Sequence, residues 1–231
     1  MRRRNLRGVA IIEFAFAMLV LVPMTLGTIA IGLNVVQYQQ TVQLARDAGY
    51  MYARQLDFTQ TANQTLIAGL GGGVGLSTTA ASSNAVLILS TVNYVDSAIC
   101  QSDNKWNTTT NQPNGCTNYQ QWVFSQRIVI GNSNIWSSNF GSPVTTGANP
   151  VTIASNGNIS LDTQVTNSGD VAICTTTGGV HTFAGINPYA TTNGNASGLP
   201  SGQVVYVAEA ASYGFSMPPF PVSVRYSYNL F

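Results

Sequence analysis

Charged residues are scarce in this sequence. Lys, Arg, Asp and Glu make up 7% of its 231 residues, whereas soluble domains average about a quarter. Apolar residues reach 45%, and Asn, Thr, Ser and Gly supply most of the polarity. A nucleic-acid-binding protein carries many Lys and Arg residues on a folded face, and the net charge here is only +1. The composition argues against a nucleic-acid partner and favours turn-rich β-structure outside the cytoplasm.

Catalytic and metal-binding motifs are also missing. His181 is the only histidine, and the three cysteines lack the spacing of a zinc site. The glycine-rich run 69–75 lacks the Lys-Ser/Thr pair that ends a phosphate-binding loop. A Ser–His–Asp hydrolase would need His181 with Asp170, and no nucleophile motif accompanies them. We therefore expect no enzyme, no metal site and no cofactor; an exported enzyme is the least supported class.

One long apolar run follows an arginine cluster at the N-terminus. Residues 9–36 contain a single ionisable group, Glu13, and as a helix they would extend roughly 40 Å, enough to cross a bilayer. A secretory signal is the alternative, but its apolar region is normally only about 7–15 residues long. Arginines before a span and none just after it predict a cytoplasmic N-terminus. The cluster consists of Arg2, Arg3, Arg4 and Arg7.

The start of this run carries an ordered set of motifs. Glu13 lies five residues after Gly8, and Phe14 follows it. Leu-Val-Pro at 21–23, Gly27 and the segment QLARDAGY at 43–50 come next. This order and spacing resembles the TadE-like family, the pseudopilins of tight-adherence (Flp, type IVb) pilus systems, over roughly residues 6–54.

The resemblance implies how the chain is processed and where it resides. Residues 1–8 would be a leader that a prepilin peptidase removes after Gly8, so that Val9 becomes the first residue. The implied partners are the lipid bilayer, other pilin or pseudopilin subunits and the inner-membrane assembly platform. The implied location is the bacterial inner membrane, with one span and a domain in the periplasm or in an extracellular filament. The alternative is an uncleaved, single-pass anchored adhesin or receptor domain.

Glu13 and Phe14 are the candidate assembly residues. A carboxylate in hydrocarbon costs about 3 kcal/mol or more, so it usually has a partner. In a staggered bundle, Glu13 of one subunit can meet the new amine at Val9 of a neighbour. Alternatively, Glu13 extends to the cytoplasmic interface, because it lies near the helix start. The spacing from Gly8 to Phe14 favours the assembly role.

Beyond the span, the sequence predicts an α+β fold in which a long N-terminal helix packs on an antiparallel sheet. We expect one helix from about Val9 to Leu56, which comprises the transmembrane segment 9–36 and the first part of an amphipathic helical extension over 37–68. A flexible Gly/Ser/Thr-rich joint over 69–84 follows. A β-rich domain over 85–231 follows, with a long polar insertion over 131–202. Packing on its own domain is the expected role of an apolar stripe in the extension. The stripe contains Val35, Tyr38, Val42, Ala45, Gly49, Tyr52 and Leu56.

Alternating apolar and polar residues predict the strands of that domain. The predicted strands cover 85–95, 122–130, 203–208 and 222–228. Asn156-Gly157 predicts a hairpin within 151–165, and Gly178-Gly179 predicts another between 170–174 and 180–183. The proline-rich segment 217–221 is expected to be a stiff connector.

Cys100 and Cys116 flank a polar loop between two predicted strands. An extracytoplasmic location permits a disulfide, and closing this loop would contribute about 3 kcal/mol. We expect this pair to be bridged and Cys174 to be left over. Three buried thiols are the alternative.

Overall fold

The computed structural model describes residues 7–172, 174–177, 180–183, 204–216 and 223–231, with side chains from Ile11 onward except in 173–203. It contains a long N-terminal helix packed on a four-stranded antiparallel sheet. The predicted α+β class is therefore confirmed. The connector 217–221 and most of the leader lie outside the described residues.

Helix α1 runs without interruption over Arg7–Ala53 and includes Pro23. It ends three residues before the predicted position. Gln55 adopts a φ of 64°, and the carboxylate of Asp57 accepts hydrogen bonds from the backbone N–H and the hydroxyl of Thr59. This local turn brings Phe58 into the core, where it is fully buried. The extension over 37–68 is thus two helices, the second being α2 over Thr61–Leu70.

The predicted flexible joint over 69–84 is instead a packed segment. It contains two 3-10 turns, Gly71–Val74 and Ala80–Ser82. Val74 and Leu76 are buried in the same core cluster as Leu44 of α1. The prediction was wrong because the two apolar side chains among the glycines were enough to hold the segment against the helix.

Four antiparallel strands form the main sheet, in the order β4-β1-β7-β8. They are β1 (Ala85–Tyr94), β4 (Trp122–Gly131), β7 (Val204–Tyr213) and β8 (Val224–Leu230). Each of these strands begins within a few residues of the start of a predicted strand. Dense β-branched and aliphatic residues in β1 explain its central position, because both of its faces are covered.

Alternation along the strands sends side chains to two separate cores. One face packs against α1, α2 and the 3-10 turns, through residues such as Leu87, Leu89 and Ala208. The opposite face carries Val92, Phe124 and other residues. The long helix therefore covers only one side of the sheet.

Residues from the predicted polar insertion cover the other side of the sheet. Phe140, Val151 and Ile159 are buried there in one cluster, so the part of the insertion over 131–172 belongs to the core. The hairpin predicted within 151–165 is reduced to a single bridge between Ile153 and Ile159. It leads into a short helix, α4 over Leu161–Thr166, whose first turn is capped by the Ser160 hydroxyl.

The remaining small elements lie at the edges of the domain. The strands β5 (Cys174–Thr177) and β6 (Val180–Phe183) form a two-stranded hairpin, beginning later than predicted because Ser168–Asp170 is a 3-10 turn. Helix α3 over Ser97–Ser102 and the short strands β2 (Trp106–Asn107) and β3 (Gln112–Pro113) occupy the loop between Cys100 and Cys116. A disulfide joins these two cysteines, whose Cα atoms are 5.8 Å apart.

Candidate functional site

The first half of α1 projects from the domain as an apolar rod. Ile11, Phe14, Phe16 and Leu19 are each more than 60% exposed. A core helix of a soluble protein would bury these side chains. Among the residues that the structure describes, one helix is long and apolar enough to cross a membrane. The geometry therefore fits a single membrane anchor.

The predicted processing and assembly residues lie at the beginning of this rod. Gly8 and Val9 are in the first turn of α1. Glu13 is exposed on the same helix, about 6 Å along the axis from Val9. The one ion pair within 4 Å among the described residues joins Lys105 and Asp162. Glu13 thus has no cationic partner within the described part of its own chain.

The second half of α1 is fixed to the sheet by small residues. Ala45 and Ala48 are fully buried, and Gly49 is buried with them. A Cβ at Gly49 would overlap the ring of Phe231 and lie 3.0 Å from the Cβ of Ala208. The helix axis therefore approaches β7 and β8 closely, and the packing depends on the absence of a side chain at Gly49.

Side-chain hydrogen bonds join α1 to the sheet at two positions along the helix, Thr41 and Tyr52. The Thr41 hydroxyl lies 2.8 Å from the Ser212 hydroxyl. Further along, the Tyr52 hydroxyl donates to Oε1 of Gln126 at 2.8 Å and lies 2.7 Å from the Thr91 hydroxyl. Burial raises the pKa of Tyr52 to about 12, so the phenol stays protonated as a donor at physiological pH.

The predicted stripe is confirmed only in its outer part. Ala45, Gly49 and Tyr52 face the sheet, whereas Val35 and Tyr38 are 50% and 48% exposed. At this level the helix contacts the domain through Asn34 and Gln37 instead. The buried positions that the stripe omitted are Thr41, Leu44 and Ala48.

At the lower end of the sheet, Arg225 of β8 and Phe215, which follows β7, contact the helix. The Arg225 guanidinium donates to Oδ1 of Asn34 and to the Ser223 hydroxyl. The backbone N–H of Phe215 donates to Oε1 of Gln37 at 2.7 Å. These contacts place the end of β7 and the start of β8 beside the point where the apolar rod ends and the packed part of α1 begins.

A buried polar layer lies on the face of the sheet away from α1. The carboxylate of Glu209, 1% exposed, accepts from the hydroxyls of Ser138 and Tyr226 and from the backbone N–H of Asn139. Arg127 donates to Ser90 at 2.8 Å. Burial lowers the pKa of the Arg127 guanidinium, and the charge of Glu209 acts in the opposite direction. Their mutual attraction keeps both charges tolerable inside the domain.

Asp170 is a second buried carboxyl, with a different environment. It is fully buried, and neither carboxyl oxygen has a hydrogen-bond partner. Burial raises the pKa of Asp170 to about 8. The neutral acid therefore predominates at pH 7, because no donor is present to stabilise the charge.

Some of these residues have a detectable sequence signal and others do not. Glu13 is conspicuous because it interrupts an apolar run. Glu209 follows a run of β-branched residues and has the same kind of signal. Asn34, Gln37 and Arg225 have none, because Asn34 pairs with Arg225 across 191 positions and Gln37 with Phe215 across 178.

Comparison with known proteins adds one match. Residues 8–49 match the profile of the family described as TadE-like protein, which is the family that the N-terminal motifs resemble. The matched segment runs from the predicted processing site at Gly8 to Gly49, where α1 packs closely against the sheet. The N-terminal segment is therefore similar to the TadE-like family. No curated protein and no solved structure matches the chain.

Proposed function

We propose that this protein is a minor pilin or pseudopilin of a tight-adherence, type IVb-like pilus system. One observation carries the proposal: an exposed apolar helix holds a carboxylate, Glu13, that has no cationic partner among the described residues and lies within the segment that matches the family. A prepilin peptidase would remove the leader, and the helix would then pack among those of other subunits at the inner-membrane platform. The role is structural rather than enzymatic.

The arginines of the leader support an N-terminus-inside orientation in the bacterial inner membrane. They precede the span, and no basic residue follows it until Arg46. The sheet domain would then lie in the periplasm or in an extracellular filament. The disulfide between Cys100 and Cys116 suits that compartment, because the cytoplasm keeps thiols reduced.

Removal of the leader would give Glu13 a partner. Cleavage after Gly8 leaves an α-amine at Val9, which is cationic at neutral pH. An amine on a neighbouring helix, shifted by about one turn, would lie level with Glu13. Two groups that are each costly in lipid would neutralise each other there.

Replacing Gly8 with valine is expected to abolish processing. The full chain and the Gly8→Val variant are produced in a host with a prepilin peptidase, and the membrane fraction is analysed by intact mass and N-terminal sequencing. The unmodified chain should begin at Val9 and the variant at Met1. Gly27→Val, a glycine change elsewhere in the same helix, should leave cleavage intact. A first residue of Val9 in the Gly8→Val variant would refute this prediction.

Replacing Glu13 with glutamine is expected to block incorporation while leaving the fold unchanged. The amide keeps the shape of the side chain and removes the charge that would pair with the amine. Asp47→Asn, an exposed acid outside the apolar run of α1, is the matched control. Subunit incorporation is measured in sheared pilus fractions, and folding by thermal denaturation in detergent. Normal amounts of the Glu13→Gln variant in filaments would rule out the proposed ion pair.

The uncleaved adhesin or receptor has one observation in its favour. A cleft of about 560 Å³ opens where α1 ends, at the pole of the domain away from the apolar rod. Its wall includes the side chains of Tyr52, Gln126, Asn158 and Tyr206, which are suited to a polar ligand. N-terminal sequencing separates the two functions, since the alternative requires Met1 at the start of the membrane form.

A further inference from the structure

The base of the sheet domain contains a second cavity, beside the point where α1 leaves the apolar run. This cavity encloses about 710 Å³. One wall is the helix residue Gln37, and another is the end of β7 at Tyr213. The rest is mainly the glycine-rich 3-10 turn. The lining residues are Gln37, Gly72, Gly73, Val74, Gly75, Asn84, Tyr213 and Gly214.

The depth of this cavity in a membrane follows from the helix. A helix rises about 1.5 Å per residue, so Asn34 and Gln37 lie about 17 and 22 Å from the middle of the apolar run 9–36. The hydrocarbon core ends about 15 Å from the bilayer centre, and the headgroups extend to about 22 Å. If α1 spans the bilayer, as the proposed function requires, the cavity opens at headgroup level.

Several polar groups of the cavity can donate hydrogen bonds and have no side-chain partner for them among the described residues. Oε1 of Gln37 accepts from Phe215, and the NH₂ group of the same amide has no partner among the described residues. The Asn84 amide and the Tyr213 hydroxyl likewise make no side-chain hydrogen bond with a described residue. No lining residue is acidic. Such a wall suits an acceptor-rich group that carries no cation of its own.

The Arg225 guanidinium lies next to Gly214, one of the residues that line the cavity. A Cβ at Gly214 would meet the Arg225 guanidinium at 2.6–3.0 Å, so the charge lies close to the cavity. Its hydrogen bond to Asn34 ties it to the helix at the same level. The exposed residue Tyr213 lines the cavity, and the exposed residues Tyr38 and Phe215 are next in sequence to the lining residues Gln37 and Gly214. Aromatic rings and arginine at this depth are typical of membrane interfaces.

From these observations we infer that the cavity binds the headgroup of an anionic phospholipid. The phosphodiester would accept from the Gln37, Asn84 and Tyr213 donors and face the positive charge of Arg225. The acyl chains would run down beside the exposed side chains of the helix. The inference rests on the membrane-spanning part of the proposed function and does not depend on cleavage or pilus assembly.

Filling the cavity tests the inference. Gly72 lines it, and a Cβ built there meets nothing within 4 Å, so Gly72→Phe should fill the space without disturbing the backbone. Gly69 is equally free of contacts and lies outside the cavity, which makes Gly69→Phe the matched control. Lipid retention by the full chain is measured by native mass spectrometry from detergent containing equal phosphatidylglycerol and phosphatidylcholine.

The expected result is selective retention of phosphatidylglycerol by the unmodified chain and by Gly69→Phe. Gly72→Phe should lose that selectivity, and Arg225→Gln should reduce it about five-fold, the effect of one cation near an anionic headgroup. Equal retention of the two lipids by the unmodified chain would overturn the inference, as would undiminished selectivity in Gly72→Phe. Displacement of the lipid by millimolar inorganic phosphate would also overturn it, because the ligand would then be a free anion. Loss of cleavage in the Gly8 experiment affects none of these outcomes.

Discussion

Replacing Gly49 with leucine is expected to lower the free energy of unfolding by about 3 kcal/mol, the upper end for overpacking a core. The new side chain would have to occupy the space of the Phe231 ring and of Ala208. The ring can swing away, but the strand cannot, so the helix must separate from the sheet. The measurement is thermal denaturation of the full chain in detergent, where the Tm should fall by about 5–10 °C.

Gly27→Leu is the matched control for this experiment. Gly27 lies on the same helix, and a Cβ there meets nothing within 4 Å. Its replacement should leave the Tm unchanged. Equal Tm values for the Gly49 and Gly27 variants would show that α1 does not pack on the sheet as described.

The second large effect is a pH dependence that originates from Asp170. Its carboxyl has a pKa of about 8 in the folded protein, against an ordinary value of 3.8. Between these values the folded state holds a proton that the unfolded state has released. The free energy of unfolding should therefore be highest below about pH 4, fall as the pH rises, and level off above pH 8.

Asp170→Asn should remove this dependence, because the amide has no proton to lose. The variant should exceed the unmodified protein by on the order of 5 kcal/mol at pH 8 and by only about 1 kcal/mol at pH 4–5. Chemical denaturation at a series of pH values measures the difference, with the exposed Asp47→Asn as the control for a surface acid. A difference between Asp170→Asn and the unmodified protein that stays constant from pH 4 to pH 8 would contradict the assignment of this titration to Asp170.

The sheet could be predicted from the sequence to a large extent. The residues of β1 and β4 are dense in aliphatic and β-branched side chains, and those of β8 alternate in polarity. Such local patterns dominate when a strand has one or two buried faces. The disulfide pair was also accessible, because Cys100 and Cys116 flank a single loop.

What escaped prediction depended on contacts between distant segments. The end of α1 at Ala53 is determined by the burial of Phe58 and the turn around Asp57, which a helical pattern does not reveal. In the segment 131–172, isolated apolar residues such as Phe140 and Val151 are diluted by polar ones. These residues are buried because they pack on the apolar face of the sheet opposite α1, and the local sequence does not show that contact.

The two candidate functional sites, Glu13 and the cavity at the base of the domain, also differ in how far the sequence reveals them. Glu13 was identifiable because lipid makes a lone carboxylate costly. The cavity at the base of the domain was not, because it joins Gln37, a glycine-rich turn and the end of β7. The glycine-rich run is conspicuous in the sequence, but Gln37 and the end of β7 are not, and only the fold brings the three to one depth.

The attachment of α1 to the sheet has a mechanical consequence. Its contacts run from Asn34 beside Arg225 to Tyr52 beside Thr91, about 27 Å along the axis, and β7 runs antiparallel to the helix. A force on the N-terminal end of α1, directed along the helix axis, loads all of these contacts together in shear instead of breaking them one after another. The force is thus transmitted to the central strands of the sheet, and the domain moves with the helix as a rigid body.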